Sequence, residues 1–250
     1  MSVSVGDLAG RTVLITGASS GLGRHFATIC AAAGAKVAAC ARRMDRLETL
    51  AKEIGGATPI AMDVEDEASV IAGYDAAEKA LGPVDSVIAN AGMSAAGMAL
   101  DLPVEDFDRI MRVNLRGPFL TAREGARRMI ARGERKGRIV IVSSMGARKV
   151  LPGTAAYCAS KAGALQLGKA LAREWANKGI NVNIICPGFI ATELNDEFLR
   201  SDAGKRMIQG FPRRREMQAS DLDGTVLHLL SDASRGITGA AFDLDDGQGL

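Results

Sequence analysis

Seven short apolar runs, each of five to nine residues, recur along this 250-residue chain with helix-forming stretches between them. "TVLIT" (12–16), "KVAACA" (36–41), "TPIAMD" (58–63), "VDSVIAN" (84–90), "RIVIVSS" (138–144), "INVNIICPG" (180–188) and "AAFDLD" (240–245) read as strands. Helices are expected over about Leu22–Ala33, 46–54, about Glu65–Leu81, a long region ending near Gly133, the segment around Tyr157, and 219–231. Gly34 stands where a glycine C-cap would end the first helix. Strands that alternate with helices argue for a parallel sheet covered on both faces, and no repeat or linker divides the chain. The expectation is one α/β domain over residues 1–250.

Composition narrows the function classes. The net charge is +2 and the basic residues are spread along the chain, which argues against a nucleic-acid-binding stripe. No apolar run is long enough to span a bilayer. The start, "MSVSVGDLAGR", has neither the basic beginning nor the apolar core of a signal peptide. Cys30, Cys40, Cys158 and Cys186 form no CxxC pair and no metal-ligand spacing, so no metal is expected. They read as reduced thiols of a cytoplasmic protein. His25 and His228 have no acid or metal partner nearby in sequence and read as structural; Trp175 and Met129 read as core or subunit-interface residues.

"TGASSGLG" (16–23) joins the first strand to the first helix. Glycines there let the backbone turn tightly and approach a ligand, and the helix behind them aims free N–H groups at the same point. That suits a pyrophosphate. Gly17, Ser19, Ser20, Gly21, Leu22 and Gly23 are therefore candidate cofactor-binding residues, with G-x-x-x-G-x-G spacing instead of the commoner G-x-G-x-x-G.

Tyr157 is one of only two tyrosines, and Lys161 follows it by four positions in the alanine-rich "AAYCASKAG" (155–163). Positions i and i+4 share a helix face. A free phenol is a poor base near neutral pH, and a cation within ~4–6 Å lowers its pKa by about 1–3 units. The spacing thus makes Tyr157 a candidate acid/base, with Lys161 lowering its pKa.

The glycine loop, "NAG" (90–92), "SS" (143–144), the Tyr157/Lys161 pair and "PG" (187–188) stand in an order and spacing that resemble the short-chain dehydrogenase/reductase family from about Leu8 to Leu250. The resemblance implies a Rossmann-type doubly wound fold of about seven parallel strands, a nicotinamide dinucleotide, and hydride transfer between an alcohol and a carbonyl. It implies roles by position. Tyr157 is the acid/base, and Lys161 also binds the nicotinamide ribose. Ser144 bonds the substrate oxygen, and Asn114 holds a water of the proton relay. Asp63 and Val64 form the adenine pocket, and Asn90, Ala91 and Gly92 line the cleft. Pro187, Gly188, Ile190 and Thr192 cup the carboxamide. It usually implies a homotetramer, consistent with apolar residues on more than one face of 104–132 and 155–178.

NAD-specific members usually place an aspartate at the end of the second strand to bond both ribose hydroxyls. That position is Ala41 here, followed by Arg42 and Arg43, so NADP(H) is expected over NAD(H), with Ser19 adding a hydroxyl to the 2′-phosphate. Met93, Met98, Met145, Leu151, Phe189, Leu194, Phe198 and Met207 are candidate pocket residues, Met145, Leu151, Phe189 and Leu194 with Ser144 and Tyr157 forming the main substrate set. They point to an apolar ketone or secondary alcohol as the small-molecule partner. The stretch 190–218 is expected to be a substrate lid, with Gly204 and Gly210 inside it. Two other functions stand beside this one. Reduction of 3-oxoacyl groups on acyl carrier protein would use the basic segment 123–138 to attract an acidic carrier, although "NAGMSAAGMALD" departs from that branch's pattern. A non-catalytic dinucleotide sensor would lose the acid/base residues, all of which are filled here.

Overall fold

The structure, a computed structural model, describes residues 6–95, 97–193 and 195–250. The seven strands are β1 (Thr12–Thr16), β2 (Lys36–Ala41), β3 (Ala57–Ala61), β4 (Ser86–Ala89), β5 (Gly137–Val142), β6 (Ile180–Pro187) and β7 (Ala241–Leu244). They form one parallel sheet in the order β3-β2-β1-β4-β5-β6-β7. Side chains alternate across each strand, and both faces are apolar. Val13, Ile15, Val140 and Val142 meet Phe26 and Leu229 on one face; Leu14, Ile139 and Ile141 meet Tyr74 and Met129 on the other. The chain order reverses between β1 and β4. In such sheets that reversal opens a crevice beyond the carboxyl ends of the strands.

The covering helices are α1 (Gly21–Ala32), α2 (Met44–Ile54), α3 (Glu67–Leu81), α4 (Val104–Met111), α5 (Gly117–Ala131), α6 (Ala155–Trp175), α7 (Asp196–Arg200), α8 (Asp202–Gln209) and α9 (Asp223–Leu230). The long helical region expected before Gly133 is broken: α4 passes into α5 through a π-helical turn, Arg112–Arg116, in which the Gly117 N–H donates to the Arg112 carbonyl five residues back. Pro118 supplies the reason, because it has no N–H to continue the i−4 ladder. The stretch 190–218 holds two short helices, α7 and α8, and closes with a bridge between Ile190 and Met217. Among the described residues no helix is long and apolar enough to cross a membrane.

Candidate active site

The glycine loop sits at the carboxyl end of β1. Gly17 has φ +71°, and a Cβ there would stand 2.9 Å from Ala91 Cα and from Asn90 Nδ2. A Cβ on Gly23 would overlap the Gly17 carbonyl. The loop and the "NAG" segment therefore touch backbone to backbone. Thr16 ties them: its hydroxyl accepts from the Asn90 and Ala91 N–H groups at 3.1 Å each, and Asn90 Nδ2 donates to the Thr16 carbonyl at 2.9 Å. Ser20, the N-cap of α1, makes no side-chain cap, and the first turn of α1 carries no acidic residue. The unpaired N–H groups and positive end of that helix are left for an anion. This donor set fits a dinucleotide pyrophosphate.

A second cluster lies beyond the carboxyl ends of β4 and β5. Lys161 is 4% exposed; its Nζ donates to the Val142 carbonyl at 3.0 Å and sits 5.8 Å from the Tyr157 ring centroid. Ser143 donates to the Lys161 carbonyl at 2.8 Å, fixing the first turns of α6 to β5. Ser144 accepts from the Gly146 N–H at 3.0 Å, capping a short turn, and also hydrogen-bonds Tyr157. Asn114, fully buried in the π-helical turn, accepts from the Met93 N–H at 2.8 Å and donates to the Met93 carbonyl at 2.8 Å. It also donates to Ser160 Oγ at 3.0 Å, and Ser160 in turn donates to the Tyr157 carbonyl at 2.7 Å. A Cβ on Gly92 would lie 3.3 Å from Lys161 Nζ and 3.4 Å from Asn114 Oδ1, so both polar groups border the same glycine.

Burial dominates the electrostatics here. It pushes the Tyr157 phenol up, against the Ser144 hydrogen bond that pulls it down, and lowers the Lys161 ammonium to about 8. The net shift is upward, opposite to the lowering by Lys161 expected from the i, i+4 spacing. At neutral pH the arrangement holds a protonated phenol beside a still largely charged ammonium.

A family model described as Enoyl-(Acyl carrier protein) reductase matches residues 17–248. D-threitol dehydrogenase of Mycolicibacterium smegmatis is 36% identical over 247 residues, spanning 96% of this chain and 93% of that protein. A short-chain type dehydrogenase/reductase from Mycobacterium marinum matches at TM-score 0.92 and 37% identity, covering 98% of this chain and 97% of the other. A gluconate 5-dehydrogenase from Burkholderia cenocepacia, solved with NADP and tartrate, matches at TM-score 0.92 and 32% identity, with 98% and 97% covered. The chain belongs to the short-chain dehydrogenase/reductase family. It is an NAD(P)-dependent oxidoreductase acting on CH–OH groups.

In this short-chain dehydrogenase/reductase the two arginines after β2 diverge. Arg43 Nε and Nη2 donate to Ser19 Oγ at 3.2 and 3.1 Å, and Nη2 donates to Ser20 Oγ at 2.8 Å. Arg42 turns away, with Nη1 3.9 Å from Asp63 and 3.6 Å from Glu65, and its side chain is 60% exposed. Asp63 bonds the Glu65 N–H at 3.0 Å, and Val64 is buried against Gly117. Thr192 and Ile190 are joined through Asn195, whose Oδ1 accepts from the Thr192 N–H at 2.8 Å and whose Nδ2 donates to the Ile190 carbonyl at 3.0 Å.

Of the residues expected to line the substrate pocket, Met145 is buried, and Leu151 and Tyr157 both approach Gly146. Phe189 stacks on Phe211 with centroids 5.7 Å apart. Met98 and Phe198 are exposed; Met93 and Met207 are half-buried. Leu194 lies outside the described residues. Sequence reasoning missed Gln248, which is 1% exposed. Its Oε1 accepts from the Phe189 N–H at 2.7 Å, and its carbonyl accepts from Lys149 at 2.7 Å, so the chain end is tied to both segments. His25 does have an acid partner, since its Nε2 lies 2.6 Å from Asp223 Oδ1. The basic segment 123–138 is largely neutralised: Arg123 pairs with Glu67, Arg127 with Glu124, Arg128 with Asp75, Glu78 and Glu124, and Arg132 with Glu78.

Proposed function

We propose that this enzyme moves a hydride between NADP(H) and an apolar ketone or secondary alcohol, with Tyr157 as acid/base. The observation that carries the reading is the buried Lys161 ammonium, 5.8 Å from the Tyr157 ring centroid, beside Ser144 and Asn114. Bound nicotinamide supplies the hydride in reduction and takes it in oxidation. The protein's part is to hold the carbonyl oxygen and give it a proton. Ser144 Oγ and the Tyr157 ring both border Gly146, so one substrate oxygen can accept from the two hydroxyls. A phenol that stays protonated at neutral pH is ready to donate in reduction; in oxidation it must first lose its proton. Lys161 supports the phenolate by charge and borders Gly92, where the nicotinamide ribose would lie. Asn114 positions Met93 and α6, and in this reading it supports the relay water. Asp63, Val64, Asn90, Ala91, Gly92, Pro187, Gly188, Ile190 and Thr192 complete the cofactor set.

NADP(H) is favoured because Ala41 offers no repelling acid and Arg43 joins Ser19 and Ser20 in a donor cluster suited to phosphate. Met145, Leu151 and Phe189 form an apolar wall, and 190–218 acts as its lid. The enzyme assembles as a homotetramer in the cytoplasm. An open groove of about 530 Å³ on the outer face of α4, α5 and α6, lined by Met111, Leu115, Phe119 and Leu167, supports association with another copy. Reduction of 3-oxoacyl groups on acyl carrier protein is the second reading. The matching family model's description, an enoyl reductase, shares with it only a carrier-bound acyl substrate, and the paired arginines of α5 count against an acidic carrier docking there.

A panel of ketones, secondary alcohols and a 3-oxoacyl carrier substrate, followed by nicotinamide absorbance with NADPH and NADH, tests the reading. Turnover of apolar ketones with NADPH preferred is expected. A wild-type enzyme that favours NADH, or that turns over only the carrier-bound substrate, would overturn it.

A further inference from the structure

Arg43 is held from two sides. Its Nε and Nη2 face Ser19 and Ser20, while Nη1 donates to Glu193 Oε2 at 3.1 Å. Arg46, further along α2, pairs with the other carboxylate oxygen of Glu193. Glu193 belongs to the start of the stretch 190–218, yet it places both oxygens on the arginines of α2. Arg46, and then Arg43, hold its carboxyl below the usual range. These ion pairs face water: the side chains of Arg43 and Arg46 are each 43% exposed and that of Glu193 is 52% exposed. Exposed pairs are weak and exchange readily.

We propose that Glu193 is a cofactor-selecting residue whose carboxylate competes with an adenosine 2′-phosphate for Arg43. The proposal rests on the reading of Arg43 and Ser19 as the phosphate contacts. A phosphate brings a charge of about −1.5 to −2 and three acceptor oxygens, so it outbids a carboxylate for a guanidinium fork. Binding it requires Glu193 to give up Arg43, which loosens the first turns of the lid from α2. A cofactor without the 2′-phosphate leaves Glu193 on both arginines. Glu193 therefore taxes 2′-phosphorylated ligands alone. Repulsion across ~5 Å in a largely aqueous setting, with salt screening, corresponds to about 3- to 10-fold in affinity.

Isothermal titration calorimetry with 2′,5′-ADP and 5′-AMP on the intact protein tests this. Glu193→Gln should bind 2′,5′-ADP about 3- to 10-fold tighter and 5′-AMP within twofold of wild type. Glu193→Lys should move further in the same direction, and serves if the glutamine variant is poorly behaved. Hydrogen exchange over 195–209 should rise when wild type binds 2′,5′-ADP but not 5′-AMP, and that difference should vanish in Glu193→Gln. Unchanged 2′,5′-ADP affinity in both variants, or equal tightening toward both nucleotides, would overturn the proposal. The underlying NADP(H) reading is judged separately, by wild type against Arg43→Ala. If those two bind 2′,5′-ADP alike, Arg43 is not the phosphate contact, whatever Glu193 does.

Discussion

The two ends of the proposed cofactor cleft are built from opposite materials. At the catalytic end the polar side chains are buried and bonded mostly to backbone: Lys161 to the Val142 carbonyl, Ser143 to the Lys161 carbonyl, Asn114 to both polar groups of Met93. At the adenosine end Arg42, Arg43 and Arg46 are exposed and bonded to other side chains, chiefly carboxylates and serines. Charge is expensive where the first set lies and cheap where the second lies. Buried backbone anchors fix geometry to fractions of an ångström, which proton transfer needs. Exposed ion pairs can be exchanged for a ligand's charge, which cofactor choice needs. Chemistry and selectivity should therefore fail separately.

The largest effects belong to the buried end. Lys161→Met removes a cation expected to favour the phenolate by about 1–3 pKa units, so alcohol oxidation at pH 7 should fall by ~10- to 10³-fold. In wild type, cofactor binding should weaken as pH rises through about 8, where Lys161 loses its charge; this limb should be missing in the variant. The fold should respond the other way. The Lys161 pKa is lowered from 10.5 to about 8, so between those values the unfolded chain holds a proton that the folded one has lost. Wild-type stability from this group therefore rises with pH across that window, by up to ~3 kcal/mol, and below pH 8 the full cost of the buried charge is present. Loss of the hydrogen bond to Val142 offsets ~1 kcal/mol of the gain in Lys161→Met, leaving a variant ~2 kcal/mol more stable at pH 7. Denaturant titration at pH 7 and pH 10 would show the gap narrowing; a gap that widens with pH would contradict the assignment.

At the exposed end Arg43→Ala should lose ~10- to 100-fold in kcat/KM with NADPH, the equivalent of a charge-assisted contact of ~1.5–3 kcal/mol, and little with NADH. Ala41→Asp should reverse the preference. If the preference instead follows Arg42, the phosphate contact has been placed on the wrong arginine.

Gln248→Ala tests the wall between the two ends. It strands the Phe189 N–H, a loss of ~1–3 kcal/mol that a thermal melt would register, together with a raised substrate KM. An unchanged melting temperature would show that the chain end does not brace the site. The smallest effect is expected from Arg42→Ala, whose long, exposed contacts to Asp63 and Glu65 place it below ~1 kcal/mol in both stability and NADPH binding. A loss as large as that of Arg43→Ala would erase the distinction between the two.

What the sequence made legible was local or periodic. All seven strands, the glycine loop and the Tyr157/Lys161 face can be read from runs and spacings, because a buried parallel strand is apolar throughout and a helix repeats every 3.6 residues. Interactions across long separations were not legible. His25 and Asp223 are 198 positions apart, and nothing near either one announces the pair. Glu193 reaches Arg43 from 150 positions away. Adjacent Arg42 and Arg43 differ only in the direction their side chains leave the chain. Gln248 sits in a glycine- and aspartate-rich tail that reads as a turn. Helices α7 and α8 have five and eight residues, too few to establish a period. The π-helical turn at Asn114 did leave a trace, since Gly117 and Pro118 interrupt an otherwise helical pattern.

The central claim is that Tyr157 carries the proton while cofactor binding rests on other groups. Tyr157→Phe keeps the ring over Lys161 and removes only the hydroxyl. The decisive measurement takes two readings from one preparation of this variant: NADPH affinity by fluorescence titration, and single-turnover reduction of a ketone that the wild type accepts. Affinity within about threefold of wild type and reduction slower by ~10²–10⁴ are expected. Reduction at a near wild-type rate would contradict the claim outright.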